Sequence, residues 1–295
     1  MKLSTLVGIS IAPLLVSSGW AQLGTFTREQ RTELTRAWKG ERFEDGRPKI
    51  PDSILERAKT VSAEDAWAVL YGSKYPDQFE GGWKRFNAGG ERLVGRAVTA
   101  VFMPVRPDVA EVIADHGKAE GRAGFQNSWV IETLKPGDVL VVDMWGKVKD
   151  GTFIGDNLGT SIYKKTGTGV VINGSVRDLT GLSEIKGFTG YVRDFSPTIG
   201  LYTGMLMGIN VPIRIGETTV MPGDMVLGDP EGVMFIPPIL AEKVVTYAED
   251  VHLRDEWSHE MLKQGKYTSA QIDQFKWAPD IEADFQRWAA GRRKK

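Results

Sequence analysis

The chain reads as an α/β protein on two observations. Short apolar runs such as Val139 to Val142 and Gly169 to Ile172 have the length and bounding turns of buried strands, and they alternate with capped segments of helical character. The triplet Pro-Gly-Asp also recurs, at Pro136-Gly137-Asp138 and Pro222-Gly223-Asp224, each time before apolar residues. Proline fixes φ and glycine accepts a positive one, so both triplets predict hairpin-like turns that feed strands.

Taken in order, Met1-Lys2, the mostly apolar run Leu3 to Val16 and the small residues before Gly19-Trp20-Ala21-Gln22 read as a secretory signal peptide over residues 1–21, cut after Ala21. This predicts an exported protein, periplasmic or secreted. The run is too short, and too interrupted by Pro13, for a membrane span of roughly 20 apolar residues, so no stable span is expected after cleavage. Thr27-Arg28-Glu29-Gln30 has capping-box spacing and predicts a helix to about Trp38, followed by a linker over residues 40–51. Residues 22–51 thus form an N-terminal helical extension.

A core domain is expected over residues 52–250. Asp52 to Lys59 predicts a helix, and Ser62-Ala63-Glu64-Asp65 starts another that carries Ala66, Trp67, Val69 and Leu70. Leu93 to Met103 predicts a strand and Pro107 to Lys118 a helix containing His116. A buried strand, Val139 to Val142, leads to Asp143, and Thr160 to Lys165 reads as a short helix. Strands follow at Gly169 to Ile172, Gly190 to Phe195, Val211 to Ile215, Thr218 to Val220, Met225 to Leu227 and Val233 to Ile236. From Pro238 a long helix places Val244, Val245, Ala248, Val251 and His252 on one face. Residues 251–295 read as a C-terminal helical extension with a solvated basic tip, Arg292-Arg293-Lys294-Lys295.

Composition excludes several functions. Removing residues 1–21 removes only Lys2 among charged residues, so the formal charge of −1 becomes about −2, and nothing suggests a nucleic-acid partner. With 0 cysteines there is no disulfide, thiolate metal site or cysteine nucleophile, and 3 histidines make a histidine-rich zinc site a poor expectation. An oxygen-ligand metal site fits better.

The most informative pattern is Asp156 followed, after 20 intervening residues, by Arg177-Asp178. Ile154-Gly155-Asp156-Asn157-Leu158-Gly159-Thr160 lets backbone approach a ligand just where a helix opens, and exposed N–H groups there attract anions. Gly169 to Asp178 reads as a buried strand that delivers polar residues at its end. An aspartate pair holds a hard cation through oxygen and water, and an arginine grips a carboxylate with its fork. The same residues also suit a plainer arrangement, in which Asp156 caps a helix and Arg177-Asp178 is a surface ion pair. Asp143, Lys147 and Asn173 either line the pocket or, for Asp143 and Lys147, belong to a turn. Glu231 reads as a turn residue, Arg193-Asp194 as strand-end decoration, and His116 and His252 as partly buried structural histidines.

The Asp156 to Arg177-Asp178 spacing, with Gly155-Asp156-Asn157-Leu158 and Val170-Val171-Ile172-Asn173-Gly174, resembles the RraA-like family. So do Arg92-Leu93-Val94-Gly95-Arg96-Ala97-Val98-Thr99 and the stretch from Val211-Pro212 through Pro222-Gly223-Asp224 to Asp229-Pro230-Glu231-Gly232-Val233. The likeness runs over about residues 52–250. That family includes metal-dependent class II aldolases of 4-hydroxy-4-methyl-2-oxoglutarate and 4-carboxy-4-hydroxy-2-oxoadipate, and a regulator of ribonuclease E activity. The resemblance implies a swivelling-domain architecture of stacked β-sheets flanked by helices. It implies homotrimers, sometimes paired into hexamers, with pockets at subunit interfaces.

For the site, the resemblance implies that Arg177 holds the carboxylate or oxo group of a pyruvoyl unit and that Asp178 binds Mg²⁺ or Mn²⁺. Asp156 would contact the metal's water shell and help move protons, while backbone amides of Gly155, Asp156, Asn157 and Leu158 hold the substrate carboxylate. A further carboxylate would come from a neighbouring subunit's C-terminal region, with Glu249, Asp255 and Glu256 as candidates. The expected activity is a lyase acting on a small 2-oxo acid, by retro-aldol release of pyruvate or decarboxylation of oxaloacetate. The alternatives are a non-catalytic regulatory protein, or a lyase for another exported acid or sugar-derived substrate.

Overall fold

Thr27 caps helix α1 (Arg28–Leu34) reciprocally with Gln30, as its spacing predicts, but the helix ends at Thr35 rather than near Trp38. The computed structural model describes residues 26–87, 89 and 92–292, so the signal-peptide reading and most of the basic tip lie outside the described residues. The segment expected as a linker over residues 40–51 has no helix or strand and is fitted into the molecule. Arg42 and Pro48 form an antiparallel bridge, and Arg47, 1% exposed, reaches Asp138 (Nη1 to Oδ1, 3.1 Å) and Asp45 (Nε to Oδ2, 2.9 Å). The segment stays irregular as its Gly and Pro residues predict, with Gly46 at φ 90°, and charge complementarity with a buried carboxylate, which local spacing does not reveal, holds it in place. Helices α2 (Asp52–Ala58) and α3 (Ala63–Gly72) follow, the latter held by a Ser62/Asp65 capping box.

The core then runs through β1 (Phe79–Glu80), β2 (Lys84–Phe86), β3 (Leu93–Pro104), α4 (Pro107–Ala119), α5 (Gln126–Ile131) and β4 (Asp138–Asp143). It continues with α6 (Asp156–Thr166), β5 (Val170–Val176), α7 (Leu179–Glu184), β6 (Gly190–Phe195), β7 (Gly204–Ile209), β8 (Ile213–Ile215), β9 (Thr218–Val220), β10 (Met225–Gly228) and β11 (Val233–Ile236). Helices α8 (Pro238–Lys263), α9 (Ser269–Ile272) and α10 (Pro279–Ala290) complete it. Helix α6 begins at Asp156, not Thr160. Gly159 did not delay it because that glycine serves close packing: a Cβ there would lie 2.6 Å from Leu182 and 3.0 Å from Phe188.

The sheet is mixed and curls into a half-barrel flanked by helices, in the order β1-β11-β10-β3-β4-β5-β6-β2. Strands β3, β4, β5 and β6 are parallel to one another, as expected for apolar runs buried on both faces. The long β3 drives the curl. Its first residues pair with β10, its last with β7, and the register shifts between Val101 and Phe102. Both Pro-Gly-Asp triplets make the same turn. Lys135 and Met221 each donate an N–H to the aspartate carboxylate (2.8 Å), and Gly137 and Gly223 take φ of 78° and 91°.

One apolar cluster fills the space between the sheet and the helices around β4, β5 and α6 through Leu140, Val142, Ile162 and Ile172. A second packs α2, α3 and the first half of α8 on β10 and β11, through Leu70, Val244 and Ile236. A third joins Val141, Val171 and Tyr191 to Ile213, Ile215 and Val220 of the β8–β9 hairpin. Each fully buried aliphatic side chain contributes about 1.5–3 kcal/mol. The second half of α8 belongs to another cluster, Trp257, Met261, Trp277, Ile281 and Phe285, shared with α10. Among the described residues, no helix is long and apolar enough to cross a membrane.

Candidate active site

The two ends of the 156-to-178 motif meet because residues 151–154 run beside the end of β5. Ser175 N–H donates to Gly151 O (3.1 Å), Phe153 N–H to Ser175 O (2.9 Å) and Arg177 N–H to Ile154 O (3.0 Å). The buried Ser175 hydroxyl adds a bond to Val148 O (2.7 Å) and lies 3.2 Å from Thr152 Oγ1. This stitching sets Gly155 directly against Arg177-Asp178. A Cβ on Gly155 would lie 2.2 Å from Asp178 Oδ2 and 3.2 Å from Arg177 Nε, so a larger residue there would displace the Asp178 carboxylate.

Asp178 stands in the left-handed region (φ 55°) and ends the strand, turning the chain into α7. Arg177 Nε lies 3.4 Å from Asp178 Oδ2, and the two side chains are 42% and 41% exposed. An ion pair this open contributes about 0–1 kcal/mol, so little holds the guanidinium back from a ligand. Asp156, half-buried at the start of α6, turns Oδ1 back to accept the Asn157 N–H (2.7 Å). Its carboxyl rests against Gly181 of α7, where a Cβ would meet Oδ2 at 2.5 Å.

Gly155, Asp156, Asn157, Leu158 and Arg177 together line a cavity of about 70 Å³, closed by Ile199, Gly200 and Asn127. Asp178 is not in its lining but packs against Gly155 and pairs with Arg177. A larger cavity, about 780 Å³, opens among Asp52, Arg92, Gly137, Thr168 and Thr189. It sits at the N-terminal ends of the parallel strands and contains neither half of the motif. Parallel sheets present ligands at strand C-terminal ends, so the smaller cavity is the candidate.

The donor set suits a hard cation that keeps its water. No group of three or more His, Cys, Asp or Glu residues is assembled among the described residues, whereas Mg²⁺ is commonly held by one or two carboxylates plus water and substrate. Asp178, packed on Gly155, and Asp156, the residue after Gly155 in the chain, are the carboxylates that would hold it.

The other sequence-nominated residues lie apart from this cavity. Asp143 Oδ1 accepts Asn173 Nδ2–H (2.8 Å), and Asn173 Oδ1 accepts Arg193 Nε–H (2.7 Å). Arg193 is therefore more than strand-end decoration. It also pairs with Glu80 and stacks 3.9 Å over Trp83, joining β6 to the β1–β2 segment. Lys147 lies in the loop after β4. Glu249 is bound by Arg57 (2.7 Å), Glu256 by Arg292 (2.6 Å), and Asp255 borders a separate depression beside Trp277, so none of the three enters this chain's own site. Glu231 sits in a turn, its N–H on Asp229 Oδ1 (2.8 Å), and His252 links α8 to Asp65 of α3 (3.1 Å). Asn127 was missed by sequence reasoning, because α5 has no side-chain cap and carries no motif around that residue.

The RraA-like family model (Aldolase/RraA) matches residues 62–235. A protein of Shewanella oneidensis named putative 4-hydroxy-4-methyl-2-oxoglutarate aldolase is 34% identical over 148 residues, 49% of this chain and 76% of its own length. One of the same name from Halalkalibacterium halodurans is 33% identical over 122 residues, 41% of this chain and only 56% of its own length. Among solved structures, Streptomyces coelicolor RraAS2, described as an unusual member of the RNase ES inhibitor RraA protein family, superposes with a TM-score of 0.60 at 26% identity. It covers 72% of this chain and 98% of that one. With the model matched over more than half its length, the chain belongs to the RraA-like family.

Proposed function

We propose that this protein is a divalent-metal-dependent lyase that cleaves a carbon–carbon bond of a small 2-oxo acid. The reactions are retro-aldol release of pyruvate from a 4-hydroxy-2-oxo acid and decarboxylation of oxaloacetate. The observation that carries the reading is the convergence of Arg177 and the first turn of α6 on one small cavity, with Asp178 packed on Gly155. The names of the aldolase relatives agree with it.

The N–H groups at the opening of α6 favour a carboxylate, and the Arg177 fork suits the adjoining oxo group. Bound by Asp178, Mg²⁺ or Mn²⁺ would supply Lewis-acid polarisation of that oxo group. Arg177 contributes fixed positive charge where negative charge develops as the bond breaks. Asp156 lies where a carboxylate, directly or through water, can take the 4-hydroxyl proton and return one to C3 of the pyruvate fragment. In this reading the protein acts as a homotrimer or hexamer and, if the leader is used, outside the cytoplasm.

The likeness to RraAS2 favours a second reading, a non-catalytic binding protein. One assay separates the two. Pyruvate release is measured from 4-hydroxy-4-methyl-2-oxoglutarate and from oxaloacetate, with Mg²⁺ or Mn²⁺ and with EDTA. The lyase reading expects metal-dependent release from at least one substrate, and Arg177→Ala to lower kcat on the order of 10²–10³-fold. No release from either, with a folded protein that binds the metal, would favour the binding role.

A further inference from the structure

Beside the candidate cavity lies a second one of about 220 Å³, and the two share Asn127, Thr152, Phe153 and Gly200 as walls. Its other walls are largely apolar, with Phe102, Phe125, Trp129, Met144 and Ala114 contributing, and none of its lining residues is charged. Gln126, Asn127 and Thr152 in the wall each make a hydrogen bond within the fold. Gln126 Oε1 accepts the Leu206 N–H (2.6 Å), Asn127 Nδ2 donates to Phe153 O (2.8 Å), and Thr152 Oγ1 donates to Ser196 O (3.2 Å). The exception is Trp129, whose indole Nε1 is buried with no hydrogen-bond partner among the described residues. At the rim, Phe125 and Tyr202 meet edge to face at 6.5 Å and are 54% and 72% exposed.

The cavity at Arg177 has about 70 Å³, roughly two waters' share of liquid volume, which suits the acid end of a substrate and little more. The rest of a longer substrate must extend beyond it, and the adjoining chamber shares its wall. A carboxylate placed there would meet no cation of the lining, and Arg122 over the Trp129 ring is already paired with Glu120, whereas an apolar group would gain by burial. The 4-hydroxy-4-methyl-2-oxoglutarate in the relatives' names carries such a second carboxylate.

We propose that this chamber receives the fragment released as the carbonyl product, and that this fragment is an uncharged aryl or branched alkyl group with at most one acceptor for Trp129. The assignment rests on the lyase reading above and names its substrate class. In the reaction, a 4-hydroxy-2-oxo acid yields pyruvate and an aldehyde. The C3–C4 bond breaks with its electron pair on C3, the hydroxyl proton leaves as C4 becomes a carbonyl, and one proton is added to C3. No co-reactant is consumed.

Calorimetric binding to the full chain with Mg²⁺ tests this with three ligands that cannot undergo the cleavage: oxalate, 2-oxoglutarate and 2-oxo-4-phenylbutanoate. The last two differ by carboxylate or phenyl on C4. The expected result is that the phenyl ligand binds at least tenfold more tightly than 2-oxoglutarate. That preference should disappear in Ala114→Phe, which fills the chamber from an exposed position on α4. Equal or reversed affinities, or a preference that survives Ala114→Phe, overturn the assignment. Oxalate separates the two levels. If it binds while the phenyl preference is missing, only the chamber assignment falls; if none of the three binds, the 2-oxo-acid site itself is wrong.

Discussion

Two segments outside the family-matched residues 62–235, residues 26–51 before them and 251–292 after them, are held in different ways. The first is tied to the core by buried charge as well as by Ile50, fully buried in the cluster of α2, α3 and α8. Arg47 is buried against Asp138, Arg31 donates to Asn210 O (3.5 Å), Asn210 donates to Asp45 (3.2 Å), and Arg96 donates to Ile50 O (2.7 Å). The second makes its own apolar centre. Trp257, Trp277, Phe285 and their neighbours are all drawn from residues 253–289, with Arg254 stacked 3.9 Å over Trp277 and Lys266 paired to Asp284. An extension can thus be part of the main core or a small module docked on one helix, and composition alone does not tell which.

The largest expected effect comes from Arg47→Met. It leaves Asp138, which burial already pushes above the usual carboxylate range against the pull of Arg47, with no direct ion-pair partner. Breaking such a pair costs about 3–5 kcal/mol, and the loss should appear as a fall in the single denaturant midpoint of the whole core. Next is Trp257→Ala, which removes the centre of the C-terminal cluster at a local cost of about 3–5 kcal/mol. Hydrogen exchange should accelerate over residues 253–292 and leave β3 to β6 protected. If the core strands lose protection equally, the C-terminal module is not independent and the contrast fails.

A smaller effect, and one that depends on pH, is expected at Asp224, the counterpart of Asp138 in the second Pro-Gly-Asp turn. Burial pushes its carboxyl from 3.8 to about 7, against the pull of the Met221 N–H. With the folded value above the unfolded one, the native state holds the proton longer, so this group's contribution to stability falls as pH rises from about 4 to 7 and is level above that. Asp224→Asn should remove that slope. Urea titrations of both proteins at pH 4.5 and 7.5 should therefore show the variant gaining on the wild type by a few kcal/mol at the higher pH. A difference that does not change with pH would contradict the sign. The smallest effect is Thr27→Ala, worth about 1 kcal/mol through loss of the α1 cap and visible in the same midpoint only if the N-terminal segment unfolds with the core.

Much of the frame was legible because its signals are local. The capping residues of α1 and α3, the proline that opens α8, and the apolar runs of β4, β5, β10 and β11 each announce themselves within a few residues. What escaped is structure whose cause is distant or slight. β1 and β2 have two and three residues and no room for alternation, and α5 is a turn and a half without a side-chain cap. Arg47 belongs to Asp138, 91 residues away, and no spacing rule finds such a partner. The site divides in the same way. Gly155 through Leu158 and Arg177-Asp178 stood out for their glycines and charges, and folding added why they meet: residues 151–154 bond along the end of β5, and a residue larger than glycine at 155 would displace the Asp178 carboxylate. Asn127 and the apolar chamber come from α4, α5 and β3 and have no local pattern at all.

The most direct test of the proposed chemistry needs no knowledge of the true substrate. Pyruvate is incubated with the protein and Mg²⁺ in D₂O, and the methyl proton signal is followed by NMR. If the site stabilises a pyruvate enolate, the methyl protons exchange for deuterium, exchange stops with EDTA, and Arg177→Ala abolishes it. Pyruvate that binds in the presence of metal yet keeps its methyl protons as long as the protein-free control would contradict the account.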